Sequence, residues 1–127
     1  MKLKANPFEK YLTKEDKLQH RIISYLKYQY PNLLFAHVPN EGKRTVFERY
    51  KFKYLGGKSG IPDLLIFYTN KKYSGLAIEL KVGYNKPTAN QKEWLKQLNT
   101  NNWLAVWSNN YDECINIIQK YLNNEQI

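Results

Sequence analysis

Three charged side chains set into two short apolar runs are the first place to look for chemistry. The run GLAIELKV, residues 75–82, carries Glu79 and Lys81, and IPDLLIFY, residues 61–68, carries Asp63 directly behind Pro62. Both runs read as strands bounded by turn residues. Charge is costly to keep inside an apolar strand, so its placement is informative. Side chains alternate between the two faces of a strand. Leu76, Ile78, Leu80 and Val82 therefore share one apolar face, and Ala77, Glu79 and Lys81 share the other. The polar connector TNKKYS, residues 69–74, has hairpin length. A hairpin symmetric about residue 71 sets Asp63 opposite Glu79, with Cβ atoms roughly 4.5–5.5 Å apart. Opposed carboxylates repel, so something must compensate. Lys81 on the same face is one candidate. A divalent cation is the other, because hard cations take carboxylate, water and phosphate oxygens. On the ELK motif alone, an Asp–Lys–Glu ion cluster on a solvated face is the better account of the pattern.

The surroundings favour chemistry. Asp63 follows a glycine-bearing loop with Gly56, Gly57 and Gly60, and a basic segment precedes it, in which Lys43, Arg44, Arg49, Lys51, Lys53 and Lys58 oppose only Glu48. Glu15 falls in the first turn of a helix able to pack near the sheet. The whole chain carries a formal charge of +9, which suits a polyanionic partner. Two carboxylates, an ammonium and a phosphate-attracting flank are what metal-assisted phosphodiester hydrolysis requires.

Those residues need elements to hold them. Thr13 caps a helix running to about Tyr28, with Leu18, Ile22 and Leu26 on one face and a stop at Pro31-Asn32. LLFAHV, residues 33–38, reads as a strand ended by the turn PNEG. Residues 43–60 read as an exposed, partly irregular excursion. After the two charged strands, Thr88 and Gln91 form a capping-box pattern that opens a helix carrying Trp94, Leu95 and Leu98. WLAVWS, residues 103–108, is a fourth strand, and a last helix spans about Tyr111 to Leu122. Interleaved helices and strands predict an α/β layer fold with a central sheet.

The 127 residues suit one domain, and 43% hydrophobic content suffices for a core. One cysteine, Cys114, excludes a disulfide framework and a cysteine zinc site, and its apolar neighbours predict a buried structural role. The N-terminal stretch has no apolar signal core and no run reaches membrane-spanning length, which predicts a soluble, cytoplasmic protein with no membrane partner. His20 and His37 lack partners at ligand spacing and read as structural. Trp94, Trp103 and Trp107 read as core or interface.

In this order, GIPD at 60–63, ELK at 79–81 and a later Gln91, with Glu15 and Gln19 on the first helix and PNEGKR at 39–44, the sequence resembles the VRR-NUC (virus-type replication-repair nuclease) family of the PD-(D/E)XK nucleases. The likeness covers about residues 11–122 of a chain expected to be one domain over 1–127. It departs mainly at Thr88, where the family often has Ser. The resemblance implies a restriction-endonuclease-like αβββαβ core with a central mixed sheet. It implies that Asp63, Glu79 and the Leu80 carbonyl bind Mg2+ or Mn2+, with Glu15 supporting a metal through water. It implies that Lys81 orients the attacking water and that Gln91 points at the same site. Asn40, Lys43 and Arg44 would contact phosphates, and Lys51, Lys53 and Lys58 would track a DNA backbone. The expected activity is a metal-dependent endonuclease on branched DNA such as Holliday junctions, acting as a homodimer, in DNA repair, and the expected origin is a phage or prophage. A flap or linear-duplex nuclease, or a non-catalytic DNA-binding module on the same fold, are the alternatives.

Overall fold

The computed structural model describes residues 6–39 and 44–127. A helix, α1 (Lys14–Gln29), leads into strand β1 (Phe35–His37). A second helix, α2 (Val46–Tyr54), separates β1 from β2 (Leu64–Ile66). Next come β3 (Leu76–Leu80), α3 (Ala89–Thr100), β4 (Leu104–Ser108) and α4 (Tyr111–Leu122). The strands form one mixed sheet in the order β1-β2-β3-β4. The first three are antiparallel neighbours and β4 runs parallel to β3. A parallel neighbour needs a crossover, and α3 supplies it. With α2 set aside, the order is the expected αβββαβ, followed by α4.

Both faces of the sheet are covered. Leu76, Ile78 and Leu80 pack with Leu64 and Ile66 against Leu18, Ile22 and Leu26 of α1 and Cys114, Ile118 and Tyr121 of α4. Cys114 is buried there, as expected, and burial pushes its thiol pKa up. The opposite face is thinner: Ala77 and Ala105 meet Leu95 of α3, with Leu65, Leu98 and Trp103 around them. Two alanines let α3 approach closely, so the charged face of β3 is enclosed rather than solvated. An ion cluster on an open surface is thereby excluded, since Glu79 is 1% exposed.

The hairpin register is the expected one: Leu64 pairs with Ile78 and Ile66 with Leu76, a ladder centred on residue 71. The strands are shorter than the apolar runs. β2 starts only at Leu64, because Pro62 has no N–H to give to the ladder. The larger correction concerns the segment read as an exposed, partly irregular excursion: its described part, residues 44–60, is largely exposed, but Val46–Tyr54 form a helix. Thr45 accepts a hydrogen bond from the Glu48 N–H and caps α2, with Glu48 in the first turn and Lys51 and Lys53 in the last, where the helix dipole favours each charge. The helix buries nothing, so no periodic core signal marked it. Asn40 and Lys43 lie outside the described residues, as does most of the turn 39–42.

Candidate active site

Asp63 is held from three directions at the end of the sheet. Its carbonyl accepts the Val38 N–H of the β1 side at 2.9 Å, and His37 Nδ1 lies 3.1 Å from the same oxygen. Its carboxylate Oδ2 accepts the Leu80 N–H at 2.8 Å. Extended by two pairs, the register places Asp63 opposite Glu79 and Pro62 opposite Leu80. The Asp63 carboxylate thus takes a main-chain donor on the side where the ladder ends. The loop before it is pinned by Asn90 of α3, whose Nδ2 donates to the Ser59 carbonyl and hydroxyl, both at 2.9 Å. Gly60 there has φ +88°, and a Cβ would meet Asn90 Nδ2 at 2.7 Å. Glycine is required on both counts. No sequence signal pointed to Asn90 or Ser59.

Glu79 stands on the same side of the sheet. Its Oε1 accepts from Gln91 Nε2 at 3.0 Å and lies 3.5 Å from Lys81 Nζ. Its Oε2 is buried with no hydrogen-bond partner among the described residues. Gln91 does both things that its position suggested. Its Oε1 accepts the Thr88 N–H at 2.9 Å in the capping box, and its amide thereby turns Nε2 toward Glu79. The cap of α3 is also the brace of the carboxylate.

Glu15 comes from the first turn of α1 on the other side of the sheet, yet carboxylate oxygens of Glu15, Asp63 and Glu79 all lie within 4.8 Å of one another. Burial and the Asp63 charge together push the Glu79 pKa up to about 8. Burial also raises the Asp63 pKa, against the opposing pull of the Leu80 N–H and of Lys81. Two buried acids that repel each other are a poor solution for stability alone.

The structure therefore brings together Glu15, Asp63, Glu79, Lys81 and Gln91, with the Leu80 main chain between them. A groove of about 660 Å³ opens from this cluster along α1 and β1, lined by Glu15, Gln19, His20, His37 and Asp63 among others. His37, read as structural, does carry a structural contact, but it also forms part of the groove wall. Arg44, Lys51, Lys53 and Lys58 do not join the carboxylates. Lys51 and Lys53 are exposed on α2, Lys58 is exposed just beyond it, and Arg44 is half-buried before it, over the Phe52 ring at 3.9 Å. Trp103 packs against the Ala77 core as expected, and no described helix is long and apolar enough to cross a membrane.

The enclosed cluster and its fold have counterparts among known proteins. The sequence model of the VRR-NUC domain matches residues 8–109. A solved structure described as a VRR_NUC domain protein superposes with a TM-score of 0.73 at 30% identity, over 91% of this chain and 93% of that one. Curated proteins give no match. The match takes in Glu15, Asp63, Glu79, Lys81 and Gln91, and the chain belongs to the VRR-NUC domain family, a family of the nuclease type.

Proposed function

We propose that the protein is a divalent-metal-dependent endonuclease that hydrolyses phosphodiester bonds in branched DNA. The observation that carries this reading is the buried Glu79 Oε2, without a hydrogen-bond partner among the described residues, beside Asp63 and Glu15. Buried polar atoms are almost always satisfied, and an orphaned carboxylate oxygen costs free energy unless a cation answers it. The donor set is all oxygen, which suits Mg2+ or Mn2+.

Asp63, Glu79 and the Leu80 carbonyl would hold the ion, and Glu15 would support it through water. The Leu80 carbonyl is suited to this because the residue opposite, Pro62, has no N–H to offer it. When bound, a divalent ion polarises a phosphoryl oxygen and lowers the pKa of coordinated water. The remaining work belongs to the chain. Lys81, fixed beside Glu79, orients the attacking water and offsets negative charge that builds on the phosphate. Gln91 fixes the Glu79 carboxylate so that one oxygen stays turned toward the cluster. The groove along α1 gives the backbone access to Asp63.

A cut in each of two equivalent arms of a four-way junction needs two sites related by a two-fold axis, so the functional unit is a homodimer. The test is a panel of four-way junctions, forks, flaps and linear duplexes, with Mg2+, Mn2+ or EDTA, for the wild type and Asp63→Ala. Metal-dependent paired cuts in the junction, absent in the variant, are expected. Light scattering should give twice the 15.2 kDa chain mass. No metal-dependent cutting on any substrate would leave a binding module. Symmetric cutting by a monomer would overturn the dimer.

A further inference from the structure

Helix α2 stands apart from the body it belongs to. None of its residues is buried, and Val46, Phe47, Tyr50 and Tyr54 are each at least 62% exposed. An isolated helix of nine residues is marginal in water, and most helical stability in proteins comes from packing an apolar face. A capped helix that displays its apolar side chains is built to pack on something outside the chain. Its rings are already arranged: Tyr50 and Tyr54 lie stacked, centroids 5.8 Å apart and 20° between planes. Beside them is a cleft of about 310 Å³, lined by Arg44, Arg49, Tyr50, Phe52, Lys53 and Ser59.

Charge decides what the partner is. Residues 44–58 hold five cations, Arg44, Arg49, Lys51, Lys53 and Lys58, and one carboxylate, Glu48. A two-fold contact between copies would set this patch against itself, and like charges facing each other oppose association. A polyanion with flat faces fits both features, cations for phosphates and rings for bases. The cleft has the volume of a small ligand pocket and pairs three cations with two aromatic rings. The segment is also tied to the catalytic end. Ser59 in the cleft is bonded to Asn90, and the chain from Ser59 runs through Gly60 to Asp63.

We propose that α2 receives bases standing unstacked at a DNA branch, with Phe47, Tyr50 and Tyr54 as the stacking faces and Arg49 and Lys53 as the phosphate contacts. This rests on the nuclease reading for its ligand, and it assigns that ligand a feature which duplex DNA lacks. Recognition of structure then comes from α2 and hydrolysis from the carboxylate end.

The test is fluorescence anisotropy in EDTA, where nothing is cut. The probes are a fork with a single-stranded arm, the same fork with abasic residues in that arm, and a blunt duplex of equal length. The wild type should bind the fork roughly ten- to a hundredfold more tightly than the abasic fork, the range for one stacked base. The triple variant Phe47→Ser/Tyr50→Ser/Tyr54→Ser should lose that same factor on the fork, change less than twofold on the blunt duplex, and be indifferent to the abasic substitution. Arg49→Gln/Lys53→Gln should weaken all three probes and flatten the salt dependence. The proposal is overturned if the wild type binds fork and abasic fork alike, or if the triple variant loses fork and duplex equally. It is also overturned if the variant alters only self-association, which would make α2 a contact between copies. Cutting assays separate the two claims. Metal-dependent cleavage without an abasic effect keeps the nuclease and removes the docking role. An abasic effect without any cleavage does the reverse.

Discussion

The carboxylate end of β3 and helix α2 are opposite solutions to placing charge. At the sheet, Asp63, Glu79 and Lys81 are all at most 9% exposed; a main-chain and an amide donor lock the two carboxylates, and Lys81 is paired with Glu79. On α2, the cations and rings stand in solvent with little beyond a Thr45 cap to organise them. The first arrangement gives fixed geometry at the expense of stability, because buried like charges oppose folding. The second costs the fold almost nothing and leaves the side chains free to adapt. Geometry that must be right to a fraction of an ångström is built into the sheet, whereas the proposed contact with a long polyanion would fall to a surface helix.

The comparison breaks first, and by the largest margin, if the carboxylates prove dispensable. Asp63→Asn and Glu79→Gln should each lower metal-dependent cleavage about 1,000-fold or more, the scale set by losing several kcal/mol of transition-state charge stabilisation. Single-turnover rates measure this. The same Glu79→Gln protein without metal should melt at a higher temperature than the wild type above neutral pH, because the buried anion is gone. A neutral or negative change in melting temperature would deny that these acids oppose folding.

The pH dependence sharpens the same point. The Glu79 pKa in the folded chain is raised to about 8, against an ordinary value near 4.5. A raised carboxylate favours the fold while protonated, so its contribution is full below about 4.5 and is lost as pH climbs toward 8. The metal-free melting temperature should therefore fall across that window. Excess Mn2+ should stabilise the protein increasingly with pH, because the ion binds the anionic carboxylates. Thermal melts with and without metal across this range check both.

A smaller effect is expected at the brace. Thr88→Ala removes the cap of α3 and should cost about 1 kcal/mol of stability. Gln91→Leu loses both the cap partner and the Glu79 donor, and should lower cleavage roughly tenfold, about 1.4 kcal/mol by the usual conversion. Chemical denaturation and cleavage rates separate the two contributions. The smallest effect belongs to α2, where Tyr54→Ser should change stability by no more than about 0.5 kcal/mol. A larger loss would mean that α2 is part of the core after all.

How much of this could be read in advance follows the same division. The hairpin and the meeting of Asp63 with Glu79 were legible, because strand alternation and a six-residue connector leave few registers. Glu15 and Gln91 followed from motif order, although only the fold shows that Gln91 is cap and brace at once. The enclosure of the charged face was not legible. It depends on Ala77, Ala105 and Leu95, three residues far apart in sequence that let α3 sit close to the sheet. The Asn90–Ser59 tie gave no pattern either. Helix α2 was missed because the usual signal is a buried face, and it has none. Thr45 with Glu48 three residues on was the clue available.

The central claim is that Glu15, Asp63 and Glu79 are held together for a divalent cation, and titration of Mn2+ into the metal-free protein by calorimetry tests it most directly. The account predicts saturable binding of at least one ion at pH 7, with release of a proton that grows as pH falls, and loss of binding in Glu79→Gln. Absence of saturable binding in the wild type, or binding unchanged by Glu79→Gln, would contradict it.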